Sequence, residues 1–356
     1  MNLIHYGFDE TKTSELQALQ TQGYEMGRVL IEHKHTYRVA TESGEILAHL
    51  SGKFRYEIEA REQYPAVGDW VALSIQETEA KGVIQFVLPR TSQFTRKTPG
   101  SRHEMQVVAA NVDTIFLVLA LNQDFNLKRL ERYLVITWES GATPVVILNK
   151  SDLCSDIEQK KSEVESVALG VPIHFVSAAD HTGLSELSAY LKPGATVALL
   201  GSSGVGKSTL TNALLERDHQ QTQAIREQDG KGKHTTTHRE LIPLPQGSCL
   251  IDTPGMRELQ LWDGSSGIQE TFEDIERLAS NCQFTDCRHV QEPGCAIQTA
   301  IAENTLQPER LASYLKLQRE LAYLARRENK QLQSRERETW KKRTKTYRNQ
   351  MKHRKR

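Results

Sequence analysis

The stretch Gly201-Ser202-Ser203-Gly204-Val205-Gly206-Lys207-Ser208-Thr209 decides the reading of this 356-residue chain. Four apolar residues, Val197 to Leu200, run into it, and a helical pattern, Leu210 to Leu215, runs out of it. Strand, glycine loop, Lys-Ser and helix make the context of a phosphate-binding P-loop. The glycines let successive backbone N–H groups turn inward at a polyphosphate. The helix N-terminus adds partial positive charge. Lys207 reaches the outer phosphates in a catalytic role, and the Ser208 hydroxyl offers a Mg²⁺ ligand.

Composition bounds what surrounds this loop. The length allows two or three domains. No apolar run approaches the roughly 18 residues of a membrane span. The start, Met1 to Glu10, lacks a basic segment leading into an apolar one, so no secretory signal is expected. Five cysteines are too few and too clustered for a disulfide framework, which points to the cytoplasm. The zero formal charge hides an asymmetry. Lys341 to Arg356 holds nine Lys/Arg and no Asp/Glu, which leaves the rest of the chain nine charges negative. Such a tail suits a polyanion, most simply RNA, or is a solvated terminus.

Taken in order, residues 1–24 read as a helical lead-in. Residues 25–100 carry five short alternating runs: Arg28–Ile31, Tyr37–Ala40, Ile46–Leu50, Asp69–Leu73 and Val83–Leu88. Glycine and proline punctuate them, as in a small OB-like β-barrel with a nucleic-acid-binding or a purely structural role. Residues 101–262 alternate strand and helix. Expected strands are Val112–Leu121, Pro144–Leu148, Pro172–Val176, Thr196–Leu200, Arg239–Leu244 and Ser248–Ile251. Expected helices lie near 127–139, 155–168, 183–191 and 207–216. This is a doubly wound α/β domain with nucleotide at the carboxyl ends of its strands. Gln220 to His238 has no apolar period and reads as a mobile loop. Residues 263–334 are helical around a Cys/His cluster, and 335–356 form the basic tail.

Three further motifs carry chemistry. Asn149-Lys150-Ser151-Asp152 follows a strand. Asp152 can accept from guanine N1–H and the exocyclic amine, a donor pair that adenine lacks. Asn149 bonds the base edge or braces the loops, and the Lys150 stem covers the base. Ser177-Ala178 ends the next strand, where a backbone N–H can meet guanine O6. Asp252-Thr-Pro-Gly255 ends a third strand; Asp252 holds Mg²⁺ through water and the Gly255 N–H contacts a γ-phosphate, a contact that exists only with the triphosphate. Separately, Cys282, Cys287, His289 and Cys295 place three thiolates and one imidazole within 14 residues. That donor set suits a closed, tetrahedral structural Zn²⁺.

The order of the motifs is the informative part. NKSD and SA precede the P-loop, a threonine cluster and DTPG, so the usual G-domain circle is cut at a different place. With the N-terminal barrel and the C-terminal Cys/His module, residues 25–330 resemble the ribosome small-subunit-dependent GTPase A family of bacterial ribosome-assembly factors. The resemblance implies a circularly permuted GTPase, an OB-fold N-terminal domain and a structural zinc. It also implies GTP hydrolysis stimulated by the small ribosomal subunit and a role late in that subunit's maturation.

Met256 follows DTPG, where many GTPases carry a water-orienting glutamine. Slow intrinsic hydrolysis is therefore expected. Gly232-Lys-His-Thr-Thr-Thr237 offers a substitute: Thr236 as a Mg²⁺ ligand and His234 as the group that orients water, a role that the resemblance also implies. His234 is otherwise a solvated loop residue or an RNA contact. The partners expected are the small subunit, its 16S rRNA and late assembly factors, with no membrane and a monomeric chain. The competing readings are a nucleotide-gated RNA-binding module with incidental turnover, and a P-loop ATPase, against which NKSD argues.

Overall fold

The computed structural model describes residues 3–9, 12–33, 36–76, 81–97, 105–216, 239–252, 265–290 and 292–326. The chain divides into two units, Met1–Gln260 and Leu261–Arg356. In the first, a 3-10 helix, Leu3–Tyr6, and α1, Thr13–Thr21, precede a barrel. The barrel strands are β1 (Glu25–His33), β2 (Thr36–Thr41), β3 (Gly44–Leu50), β4 (Trp70–Gln76) and β5 (Lys81–Val87), with a short α2 (Gly52–Glu57) after β3. Their order, β1-β2-β3-β5-β4, closes on itself through β1–β4 pairing. Closure removes both sheet edges and gives the OB-like topology expected. Val29, Val39, Val71, Leu73 and Ile84 fill the interior.

The strands β6 (Gln93–Lys97) and β7 (Met105–Ala110) form an antiparallel pair that the sequence reading missed. The expected boundary at 100/101 falls between them. Next come β8 (Thr114–Ala120), α3 (Leu127–Ser140), β9 (Thr143–Asn149), α4 (Ile157–Glu165), β10 (Ile173–Val176), β11 (Thr196–Leu200), α5 (Lys207–Leu215), β12 (Glu240–Pro243) and β13 (Cys249–Asp252). The order is β10-β9-β8-β11-β13-β12, all parallel except β12. Helices cover the parallel strands, so β8, Thr-Ile-Phe-Leu-Val-Leu-Ala, is apolar almost throughout. Asn126 caps α3 by accepting the Arg129 N–H at 3.1 Å, and Gly141, at φ 86°, ends it.

The helical pattern expected at 183–191 is met by a 3-10 helix, Leu184–Tyr190. Leu184, Leu187 and Tyr190 recur every third residue, the 3-10 period, and pack on the core as one row.

Barrel and parallel sheet are continuous. Ile31 of β1 pairs with Glu240 of β12, which makes one eleven-stranded sheet. Beside this seam lies Arg28, 1% exposed. Its guanidinium donates to the carbonyls of Tyr6 (2.9 Å), Gly68 (3.1 Å) and Asn111 (3.1 Å) and to Thr196 Oγ1 (3.0 Å). It also stacks 4.8 Å from the Trp70 ring centre. One buried cation thus ties the lead-in, the barrel, the β7–β8 turn and the first residue of β11. Such a group is tolerated in an apolar interior only because its donors are satisfied.

The second unit holds α6 (Ser265–Thr271), α7 (Glu273–Ala279), α8 (Ala296–Ala302) and a helix over 308–326. Pro308 stands at the first helical position, where its missing N–H costs no helical bond. Arg310 donates to both Asp274 oxygens, at 2.6 and 2.7 Å, and Tyr314 to Glu276 at 2.7 Å, which joins this helix to α7. The basic tail lies outside the described residues.

Candidate functional site

The site is built where β11 and β9 end. β11 delivers Gly201 against β8, where a side chain would strike the Val118 carbonyl. The loop then turns through Ser202, Ser203, Gly204 and Val205 to Gly206, at φ 96°, and α5 begins at Lys207. Val205 is buried and pins the loop to the core, while Ser203, Gly204 and Ser208 are exposed. Lys207 Nζ donates to the carbonyls of Gly201 and Ser202, both at 2.7 Å.

Asn149 joins the motifs. It is 2% exposed at the end of β9, and both ends of its amide are engaged. Nδ2 donates to the Val205 carbonyl in the P-loop at 2.8 Å, and Oδ1 accepts the Ala178 N–H at 3.1 Å. Of the two roles open for Asn149, the brace between loops is the one these contacts make. A side chain at Gly206 would collide with this amide, so the glycine is required by contact as well as by φ. Lys150, at φ 62°, turns over the loop and donates to the Gly204 carbonyl at 2.8 Å.

Ser151 is half-buried and Asp152 exposed, on a 3-10 turn, Ser151–Leu153, that follows Lys150. Ser177 is buried and donates to Asp180 at 3.1 Å, while its backbone pairs with Thr182 in both directions at 3.1 Å. The Ala178 N–H, a candidate donor to guanine O6, is taken here by Asn149. Asp252 ends β13, which lies parallel to and beside β11, so it stands at the same end of the sheet as the P-loop. Gly255, Met256, His234 and Thr236, with the loop 220–238, lie outside the described residues.

Two arginines in this unit escaped the sequence reading. Arg28 begins an apolar run and was read only as part of a strand. Arg129, in the first turn of α3, donates to Ser202 Oγ of the P-loop at 2.9 Å and to the Asp124 carbonyl at 3.4 Å. At the opposite end of β11 from the loop, beside Thr196, the buried Cys249 thiol donates to the His5 carbonyl at 3.4 Å, and burial pushes its pKa up to about 11.

In the second unit, the Cys282, Cys287 and Cys295 sulfurs and an imidazole nitrogen of His289 all lie within 4.8 Å of one another. His289 Nδ1 is 3.6 Å from both the Cys282 and Cys295 sulfurs, and those sulfurs are 3.9 Å apart. A tetrahedral ion with Zn–S and Zn–N bonds of about 2.3 and 2.0 Å needs edges of about 3.8 Å (S–S) and about 3.5 Å (S–N). The three edges among Cys282, His289 and Cys295 match such an ion, and Cys287, within 4.8 Å of each, is placed as a fourth donor. Gln298 Nε2 donates to the His289 carbonyl at 2.6 Å and fixes a backbone held at φ 60°.

Comparison with known proteins carries the same motifs further. The family model for the RsgA GTPase matches residues 87–262. The small ribosomal subunit biogenesis GTPase RsgA of Opitutus terrae is 47% identical over 351 residues, 96% of each chain. The crystal structure of YjeQ from Thermotoga maritima aligns with a TM-score of 0.63 at 30% identity, over 84% of this chain and 99% of that one. YloQ, described as a circularly permuted GTPase, aligns with a TM-score of 0.61 at 23% identity, over 85% and 96%, a likeness of fold. A P-loop braced by an NKSD that precedes it in sequence, and near-complete alignment at 47% identity, lead to one conclusion: the chain belongs to the RsgA GTPase family.

Proposed function

We propose that this chain is a GTP hydrolase that acts in biogenesis of the small ribosomal subunit. The observation that carries this reading is Asn149, whose one amide joins the guanine-side loop to the phosphate loop. Asp152, on the exposed turn beside it, selects guanine. The P-loop amides and Lys207 hold the phosphates, and Ser208 and Thr236 would hold Mg²⁺, which supplies charge compensation to the phosphates when bound. Asp252 and Gly255 respond to the γ-phosphate. His234 orients water in place of the glutamine that Met256 replaces.

The domains are taken as 25–100 for the OB-like barrel, 101–262 for the permuted G domain and 263–334 for the Cys/His module. The barrel and the basic tail contact 16S rRNA of the small subunit. GTP holds the flanking modules in a subunit-binding pose, and hydrolysis, stimulated by the subunit, releases the protein late in maturation beside other assembly factors. The Cys282, Cys287, His289 and Cys295 donors hold a structural Zn²⁺. The chain acts as a cytoplasmic monomer; no helix among the described residues is long and apolar enough to cross a membrane.

The test is turnover of GTP and of ATP by the full chain, with and without small ribosomal subunits. Slow GTP hydrolysis raised strongly by subunits, with ATP inert, is expected. GTP binding without stimulation would overturn the subunit-coupled part of the reading, and equal use of ATP would overturn the assignment to Asp152.

A further inference from the structure

The first turn of α3 breaks a local rule. It reads Leu127-Lys128-Arg129 and contains no acidic residue, although this end of a helix carries partial positive charge. Arg129 does not turn away to solvent. It is half-buried, its backbone N–H is held by the Asn126 cap, and its side chain reaches across to the P-loop. Both partners of that guanidinium among the described residues, Ser202 Oγ and the Asp124 carbonyl, are neutral.

Ser202 is also where Lys207 bonds, through the carbonyl of the same residue. Lys150 bonds Gly204 two residues on. Three cations from three different elements (α3, the β9 turn and α5) thus meet on the four residues Gly201–Gly204. They repel one another and the positive ends of α3 and α5. A chain keeps an arrangement of this kind where a polyanion repays it.

Resting on the nucleotide reading above, we propose that Arg129 is a positioning residue of the phosphate loop. Acting through Ser202, it fixes the second residue of the loop and adds positive charge that strengthens binding of a nucleoside di- or triphosphate. By motif the sequence assigns Lys207 to the phosphates and Lys150 to the base; only the fold brings Arg129 to the loop.

The test uses the full-length chain with Mg²⁺. Affinities for GTP and GDP are measured by calorimetry at about 0.05 M and about 0.5 M KCl, where screening differs strongly. The apo thermal midpoint is measured beside them. Arg129→Met is expected to weaken GTP binding about tenfold at low salt, with a narrower gap at high salt. Its apo midpoint is expected not to fall, because a cation leaves a helix N-terminus. Arg129→Lys is expected to recover the salt-dependent part. In a double-mutant cycle, Arg129→Met and Ser202→Ala are expected to be non-additive, because they remove the same contact.

Unchanged affinity in Arg129→Met, while the wild type binds GTP, overturns the proposal alone. So does a loss that is equal at both salts and accompanied by a lower apo midpoint, which would make Arg129 an ordinary structural residue. A wild-type chain that binds no GTP overturns the nucleotide reading and takes this proposal with it.

Discussion

The P-loop and the Cys/His cluster each converge several polar groups on one point, by opposite means. The P-loop stands on a core: Leu199, Val205, Leu210 and Leu214 are buried beneath it, and Asn149 braces it from the side. From Cys282 to Val290 no residue is buried, and Phe284 and Val290 are 44% and 63% exposed. One site is shaped by apolar burial before any ligand arrives. The other has no such support within the loop, and a metal ion held by its four donors would supply it. The contrast predicts that ligand removal will be harmless to the first and ruinous to the second.

Metal removal should give the largest effect. Structural zinc sites in small domains draw about 10 kcal/mol or more of folding free energy from the ion. Chelation, or Cys282→Ser, should leave residues 282–295 unprotected from amide exchange and protease, with loss of a stoichiometric ion by elemental analysis. GDP affinity should stay within about twofold. A metal-free chain with the same protection would break the comparison.

Next in size is Lys207→Ala. Its loss should lower GTP turnover by about 10²–10³-fold, the scale for one preorganised charge-stabilising donor. The thermal midpoint should move little, because Val205 and Asn149 still hold the P-loop backbone when the two carbonyl bonds of Lys207 to Gly201 and Ser202 are lost. A large loss of stability would show that the loop leans on its own lysine.

Asn149→Ala should reverse that pattern. It leaves the Val205 carbonyl and the Ala178 N–H without their partner, each about 1–3 kcal/mol. A loss of about 3 kcal/mol in denaturant unfolding is expected, with weaker nucleotide binding as a consequence. A loss below about 1 kcal/mol would mean that the brace is idle.

Which parts of this were legible in the sequence follows from what each part depends on. GSSGVGKST, NKSD, SA, DTPG and the Cys/His spacing are local, because each is set by residue types at fixed offsets beside a strand or turn. The barrel was visible through its alternating runs. The β6–β7 pair was not: the strands lie in separate stretches, Phe94 and Thr95 straddle a register shift, and Ala109-Ala110 gives no strong strand signal. Arg28 was hidden because β1 is buried on both faces, from Met26 to Ile31, where it joins two sheets. Within such a run a buried arginine looks like an ordinary strand residue. Arg129 was hidden because its partner lies 73 residues away.

The smallest effect separates cysteine from cysteine. In the Cys/His loop the sulfurs must be thiolates to hold an ion. Cys249, at the start of β13 beside Thr196, is buried and hydrogen-bonded as a neutral thiol. Burial raises its pKa from the ordinary 9.0 to about 11, with Asp113 adding to the rise and Arg28 opposing it. The sign follows from which state ionises first. Below pH 9 both states hold the proton and Cys249 adds no pH dependence. Between pH 9 and 11 only the unfolded chain ionises, so stability falls, by about 1 kcal/mol at pH 10. Above 11 the loss levels off. Tyr6, whose hydroxyl burial and Glu45 also push upward, contributes in the same direction from its ordinary value of 10.0 upward. The informative quantity is therefore the difference between wild type and Cys249→Ala. Denaturant unfolding at pH 8 and pH 10 should give the variant a shallower fall by about 1 kcal/mol. Parallel falls would mean that water reaches the thiol, and that the core at the N-terminal ends of β11 and β13 is less closed than its packing requires.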